Sequence, residues 1–192
     1  MLHIKQSVYD IVNSSKAREY WRAKDKIHKN TIDLVDWEAV QKAFKEVPRL
    51  RKIFIIKHTM GMCGVGRFMK LWEKRETDNC PRCGKPEDSS HVWICDQVDA
   101  LSIWNTALLD LDRWMVSAQT DPDIRETIIH NLSNWHTGLQ PHNPLNRKTS
   151  LAFDQQSDIG WNVMIEGWIT FEWAATQEEY YKFLGSRRTE RR

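Results

Sequence analysis

No stretch of this 192-residue chain stays apolar for long. Its longest uninterrupted runs, Ile53–Ile56 among them, fall far short of the roughly 18 residues that a membrane-spanning helix needs. The N-terminus, MLHIKQSVYDIVNSSKAREYW, has neither the apolar segment nor the small-residue cleavage site of a secretory signal. Both absences point to an intracellular setting, cytoplasmic or nuclear, with no membrane partner. Internal repeats and long low-complexity tracts are also lacking. Cysteine is scarce, at four residues. In a reducing compartment, clustered cysteines more often bind metal than pair as disulfides. Net charge is nearly absent too, at a formal +2, which by itself selects no partner.

The charge that is present is unevenly placed. Between Lys42 and Arg75 ten basic residues face two acids, Glu46 and Glu73. Between Asp96 and Tyr180 thirteen acids face Arg113, Arg125, Arg147 and Lys148. A basic segment of this kind suits an anionic partner, unless the two halves neutralise each other.

The hydrophobic pattern is helical almost throughout. Val8, Ile11, Val12 and Tyr20 fall at helix-like spacing. Asp36 can cap a helix through Trp37, Val40, Ala43 and Phe44. Pro48 ends that helix or starts the next. RLRKIFIIKHTM suits a helix with Leu50, Ile53, Phe54 and Lys57 on one side, or a short buried strand. GMCGVG, residues 61–66, reads as a loop whose three glycines permit positive φ. It lacks the Gly-Lys-Ser/Thr of a phosphate loop, so a plain turn is favoured. Phe68, Leu71 and Trp72 suggest a further short helix. Val98, Leu101, Trp104, Leu108, Leu111 and Met115 give the clearest amphipathic helix. Thr120-Asp121-Pro122-Asp123 starts another, with Ile124, Ile128, Leu132 and Trp135 on its inner face. Residues 138–156 read as a connector, and about 158–183 as one last helix with Trp161, Ile165, Trp168 and Ala175 on one side. The ten tryptophans fall mostly on these stripes and are expected to pack in cores.

One short run carries chemistry. CPRCGKPEDSSHVWIC, residues 80–95, spaces Cys80, Cys83, His91 and Cys95 as a tetrahedral metal site. A Cys-x2-Cys turn brings two sulfurs to one ion, and Gly84 permits its tight backbone. His91 and Cys95 are four apart and share a helix face, with Ser89 or Ser90 as N-cap. Three thiolates and an imidazole suit one structural Zn2+ with no open position. Cys63 could replace His91 as a ligand, but a packing role is favoured. His58 has no ligand partner at useful spacing and reads as a structural histidine. The spacing fits neither a retroviral-type knuckle, nor a two-histidine finger, nor a RING.

The stretch 33–136 resembles the zinc-binding region that follows the polymerase and RNase H-like parts of non-LTR-type retrotransposon reverse transcriptase polyproteins. IDLVDWEAVQKAF, KHTMGMCGVGRFMKLW and CPRCGKPEDSSHVWIC carry the resemblance, with Glu87-Asp88 preceding the ligand histidine. IGWNVMIEGWITFEWAATQEEYYKFLGSRRT is similar to a segment found downstream in such proteins. The polymerase motif Tyr-x-Asp-Asp is missing, so the resemblance implies a non-catalytic appendage that handles nucleic acid, or a stand-alone remnant of one.

The expected architecture is mainly α: a helical domain with a zinc-bound Cys-x2-Cys turn packed on a helix carrying His-x3-Cys. That domain spans 33–137. A helical extension (1–32) precedes it; a connector (138–156), a C-terminal helix (157–184) and a basic tail (185–192) follow. The expected function is binding of RNA or DNA through a basic surface within residues 42–85. Its phosphate contacts would be Arg49, Arg51, Lys52, Lys57, Arg67, Lys70, Lys74 and Arg75, with Arg82 and Lys85 beside them on the metal turn. The alternative is a scaffolding module docked on a reverse transcriptase core or a second copy. A metal-dependent nuclease would need acids such as Asp154, Asp158, Glu166 and Glu172 to converge.

Overall fold

The computed structural model describes residues 16, 18–24, 27–28, 30–142 and 147–190. Residues 18–23 are helical, and a single 3-10 turn spans Ile32–Leu34. The helices that follow are α1 (Trp37–Glu46), α2 (Arg49–Thr59), α3 (Gly66–Leu71), α4 (His91–Ile94), α5 (Val98–Ser117), α6 (Pro122–His136), α7 (Arg147–Ile159), α8 (Trp161–Met164) and α9 (Phe171–Glu190). Among the described residues β structure is limited to two isolated bridges, Val35 with Thr170 and Asn79 with Pro86. The protein is thus mainly helical, as its periodicity predicts. Val8, Ile11 and Val12 lie outside the described residues.

The chain forms two compact units, one from Met1–Ala43 with Asn143–Arg192, the other from Phe44–His142. The first unit buries Ile27, Ile32, Val35, Ile159, Val163 and Trp168 together, with Trp21, Leu34, Trp37 and Val40 against them. Trp168 meets Trp21 edge-on, ring centroids 4.8 Å apart. Asp36 caps α1 as expected, its carboxylate accepting the Ala39 N–H at 2.8 Å.

The segment expected to connect, 138–156, contains most of α7 instead. Thr149, Ala152, Phe153, Gln156 and Ile159 are all buried, a helical stripe in which two polar residues hide the period. Gln156 is the hub. Its Nε2 donates to the carbonyls of Gly160 (3.1 Å) and Trp168 (3.4 Å). Its Oε1 accepts the Trp173 indole N–H at 3.2 Å. The single last helix expected from about 158 is broken in two places. Gly160 and Gly167 adopt φ of 101° and 89°, a conformation an L side chain resists. The chain therefore folds back between α8 and α9, Thr170 pairs with Val35, and Ala175 is exposed while Trp173 and Thr176 are buried. Helix α9 runs on to Glu190, through most of the stretch expected as a tail.

In the second unit α5 and α6 form as predicted. Asp121 caps α6 through the Asp123 N–H, with Pro122 in the first turn. Trp104, Met115, Ile124 and Leu132 are buried. Val98 and Leu101, at the start of the α5 stripe, are exposed. Pro48 begins α2, which settles the helix-or-strand ambiguity of RLRKIFIIKHTM. Only His58 and Thr59 of α2 are buried.

Replacing Gln156 by Leu keeps the volume but leaves the Trp173 N–H and two buried carbonyls short of a partner. The expected outcome is a loss of about 3 kcal/mol in denaturant-induced unfolding. A loss under about 0.5 kcal/mol would show that these bonds do not hold the unit together.

Candidate metal centre

The centre is built on a tight turn. The Cys80 N–H donates to the Lys85 carbonyl at 2.7 Å, and the Gly84 N–H donates to the Cys80 carbonyl at 2.9 Å. Closing this loop puts Gly84 at φ 73°, the left-handed conformation its lack of a side chain allows. Asn79 and Pro86 pair across the base of the turn. The second half comes from α4. His91 is its first residue, and Cys95 follows its last, so four-residue spacing puts both on the inner side. Neither Ser89 nor Ser90 caps this helix. Asp88 does so, its Oδ1 accepting the N–H groups of Ser90 (2.9 Å) and His91 (2.8 Å). A carboxylate there also opposes the positive end of the helix.

One ligand atom from each of Cys80, Cys83, His91 and Cys95 lies within 4.8 Å of the others. The Cys80 and Cys95 sulfurs are 4.0 Å apart, and Cys83 Sγ is 3.1 Å from His91 Nε2. These spacings bracket the roughly 3.8 Å edge of a tetrahedron with metal–sulfur bonds of about 2.3 Å. Cys80 and Cys95 are buried. Burial pushes the Cys80 thiol up, but the N–H groups of Cys83 and Arg82, with the His91 and Cys83 side chains, outweigh it and bring Cys80 down to about 7. Cys95 responds in the opposite direction. The Gln97 N–H favours its thiolate, yet burial and the neighbouring sulfurs of Cys83 and Cys80 hold it above the usual thiol range. The Cys80 thiolate thus forms more readily than that of Cys95, and a bound cation would offset the repulsion between them. Cys63 is buried and stands outside the cluster.

Glu87 fastens this turn to α3. Its Oε2 accepts the Gly66 N–H at 2.7 Å, its carbonyl accepts the Arg67 N–H at 2.9 Å, and its own N–H donates to the Asp78 carbonyl at 2.8 Å. Arg75 lies 3.7 Å from the same carboxylate. From the sequence Glu87 figured only as half of an acidic pair. The signal that marks its role is the Gly66 at the start of α3. Of the three loop glycines only Gly61 takes a positive φ, 67°. Gly66 serves close approach instead: a Cβ there would overlap the Asp78 carbonyl and crowd Glu87 Cβ.

Aromatic rings hold α4 from its other side. The Trp93 indole N–H donates to His58 Nε2 at 2.6 Å, and the Ser89 carbonyl lies 3.2 Å from the same nitrogen. The two rings stand edge-on, 4.9 Å apart, and His58 is structural, as expected. Trp93 also meets Trp104 at 6.5 Å. Trp104 stacks on His136 at 4.6 Å and 15°, and burial lowers the His136 imidazole below its ordinary value while its bond to the Trp93 backbone opposes this.

The ten basic residues of the expected surface separate into two groups. Lys52 donates to the Lys45 carbonyl at 3.0 Å and lies over the Phe44 ring. Lys70 pairs with Asp78 at 3.3 Å, Arg75 with Glu87, and Lys85 with Asp96 at 2.6 Å. Asp96 holds the Lys85 ammonium above its usual range. Arg49, Arg51, Lys57, Arg67, Lys74 and Arg82 make no ion pair among the described residues. Asp154, Asp158, Glu166 and Glu172 join no metal-holding group among the described residues. Nor is any helix of the described residues long and apolar enough to cross a membrane.

A Gly66→Ala change forces the backbone away from Asp78. We expect about 1–3 kcal/mol of lost stability together with weaker metal retention against a chelator. Unchanged retention would show that the Glu87 fastening does not hold the metal turn in shape.

Comparison with protein families, with curated proteins and with solved structures finds no match to this chain.

Proposed function

We propose that the chain is a zinc-stabilised helical module that binds RNA or DNA and is descended from a retroelement polyprotein. The observation that carries this reading is the Cys80, Cys83, His91 and Cys95 cluster, joined through Glu87 to a basic helix whose Arg67 makes no ion pair among the described residues. Three thiolates and one imidazole at tetrahedral spacing favour Zn2+ over oxygen-seeking cations. All four positions are filled by protein, so the ion would be structural. Its role would be to lock the turn, and with it the flanking cations, in one arrangement. Resemblance of CPRCGKPEDSSHVWIC and the glycine loop to the zinc-binding region of non-LTR-type reverse transcriptases supports the same reading.

Phosphate contacts fall to the six residues that make no ion pair among the described residues: Arg49, Arg51, Lys57, Arg67, Lys74 and Arg82. Cations already held by Asp78, Glu87 or Asp96 gain less from a phosphate, because an existing pair must first be given up. Such contacts give affinity that falls steeply with salt and reads little sequence.

A second reading rests on a separate observation. Leu50 is 81% exposed and Ile53, Phe54 and Ile56 are also exposed on α2, an apolar surface suited to a protein partner such as a polymerase core or a second copy. Self-association that grows with concentration and is abolished by Leu50→Ser with Phe54→Ser would favour it.

Two measurements test the main reading. Elemental analysis should find one zinc per chain, lost on Cys95→Ser. Affinity for short RNA and DNA should fall with salt, and the Arg49→Glu, Arg51→Glu double variant should lower the slope of log K against log salt by about 2. No nucleic-acid binding by the zinc-loaded chain would overturn the reading.

A further inference from the structure

Ten tryptophans make core packing the default, and eight of them are buried or half-buried. Trp72 and Trp114 are the exceptions, at 45% and 64% exposure. Their surroundings differ in charge. Trp114 lies on α5, where the charged residues are Asp99, Asp110, Asp112 and Arg113, and Arg113 is paired with Asp110. Trp72 closes α3, which carries Arg67 and Lys70. Just beyond it Glu73 adopts φ 56°, and the Lys74 N–H reaches back to the Met69 carbonyl at 2.8 Å. That turn reverses the chain and sets Lys74 beside the end of the helix. Arg67 and Lys74, which make no ion pair among the described residues, therefore bracket Trp72 in the chain.

The indole is also held in place. Phe68 packs against it with ring centroids 5.5 Å apart. Its benzo edge lies beside Gly64, an exposed glycine with no side chain to cover the ring. The helix itself is fixed to the metal turn through Glu87. A partly exposed, oriented aromatic with cations near it in the chain that make no ion pair among the described residues has the composition of a base-stacking platform for single strands.

We infer that Trp72 is the base-stacking residue of a single-strand-selective site, with Arg67 and Lys74 taking the adjoining phosphates. This rests on the nucleic-acid reading above and narrows it. A duplex offers its phosphates to the same cations but keeps its base faces covered, so only a single strand gains the stack. Stacking of this kind tolerates any base.

The test uses the zinc-loaded full chain with a 12-nucleotide oligothymidylate, its duplex with oligoadenylate, and an abasic strand of equal length. Single strand should bind at least tenfold tighter than duplex or abasic strand. Trp72→Leu, which keeps the packing on Phe68 and Gly64 but removes the flat ring, should lose about tenfold for the single strand alone. Trp72→Phe should retain most of the affinity, and Trp114→Leu all of it. Equal binding of single strand and duplex, with Trp72→Leu neutral and the salt slope intact, would overturn the stacking site and leave nucleic-acid binding standing. Absence of binding to all three would overturn both.

Discussion

A single carboxylate decides where the metal turn sits. Glu87 occupies the N-terminal end of α3, where unsatisfied N–H groups and the helix dipole both favour an anion. Through side chain and backbone it ties together Gly66, Arg67 and Asp78. Without this tie the Cys80–Lys85 turn would be an isolated loop, and the basic helix would have only its own short ladder, which is too brief to be stable alone. The sequence on both sides yields to the contact. Gly66 gives up a side chain so that the helix start can approach the Asp78 backbone, and Arg75 is drawn to the same carboxylate.

The metal cluster and the basic surface share one electrostatic problem. Three sulfurs held within 4.8 Å of one another and of His91 resist becoming anions together, as the opposed shifts of Cys80 and Cys95 record. A divalent cation relieves that repulsion, and Lys85 contributes from outside while Asp96 balances it. Lys70 and Arg75 likewise support the turn through Asp78 and Glu87. The basic run visible in the sequence is therefore not one surface. Part of it stabilises the module from within, and part of it is left available to solvent.

How far the sequence could be read depended on whether polar residues interrupted the apolar period. Helices α5 and α6 present Trp104, Met115, Ile124 and Leu132 at regular spacing, and the start of α6 at Asp121 and Pro122 is a local signal. Helix α7 escaped because Thr149 and Gln156 occupy its buried face, and Gln156 bonds Trp168 and Trp173, outside any local window. The last helix was read as one because aromatic residues continued past Gly160 and Gly167. The positive φ at those glycines outweighs the pattern. At the metal site the ligands were legible from spacing alone. Glu87 and Asp88 were not, because an acid that caps a helix looks no different in sequence from one in solvent. His58 was legible only as a histidine without ligand spacing. Its bond to Trp93 joins residues 35 apart.

The first unit is assembled from two segments on either side of the second, and this sets an order of events during synthesis. Ile27, Ile32 and Val35 leave the ribosome before the residues that cover them, Ile159, Val163 and Trp168, which follow only after the whole of the second unit. At 5–20 residues per second the early segment waits on the order of ten seconds with its apolar side chains uncovered. The second unit, Phe44–His142, is contiguous and has no such delay. It can fold while the first remains open, so the unit that holds the Cys80, Cys83, His91 and Cys95 cluster is complete before Ile159, Val163 and Trp168 reach Ile27, Ile32 and Val35.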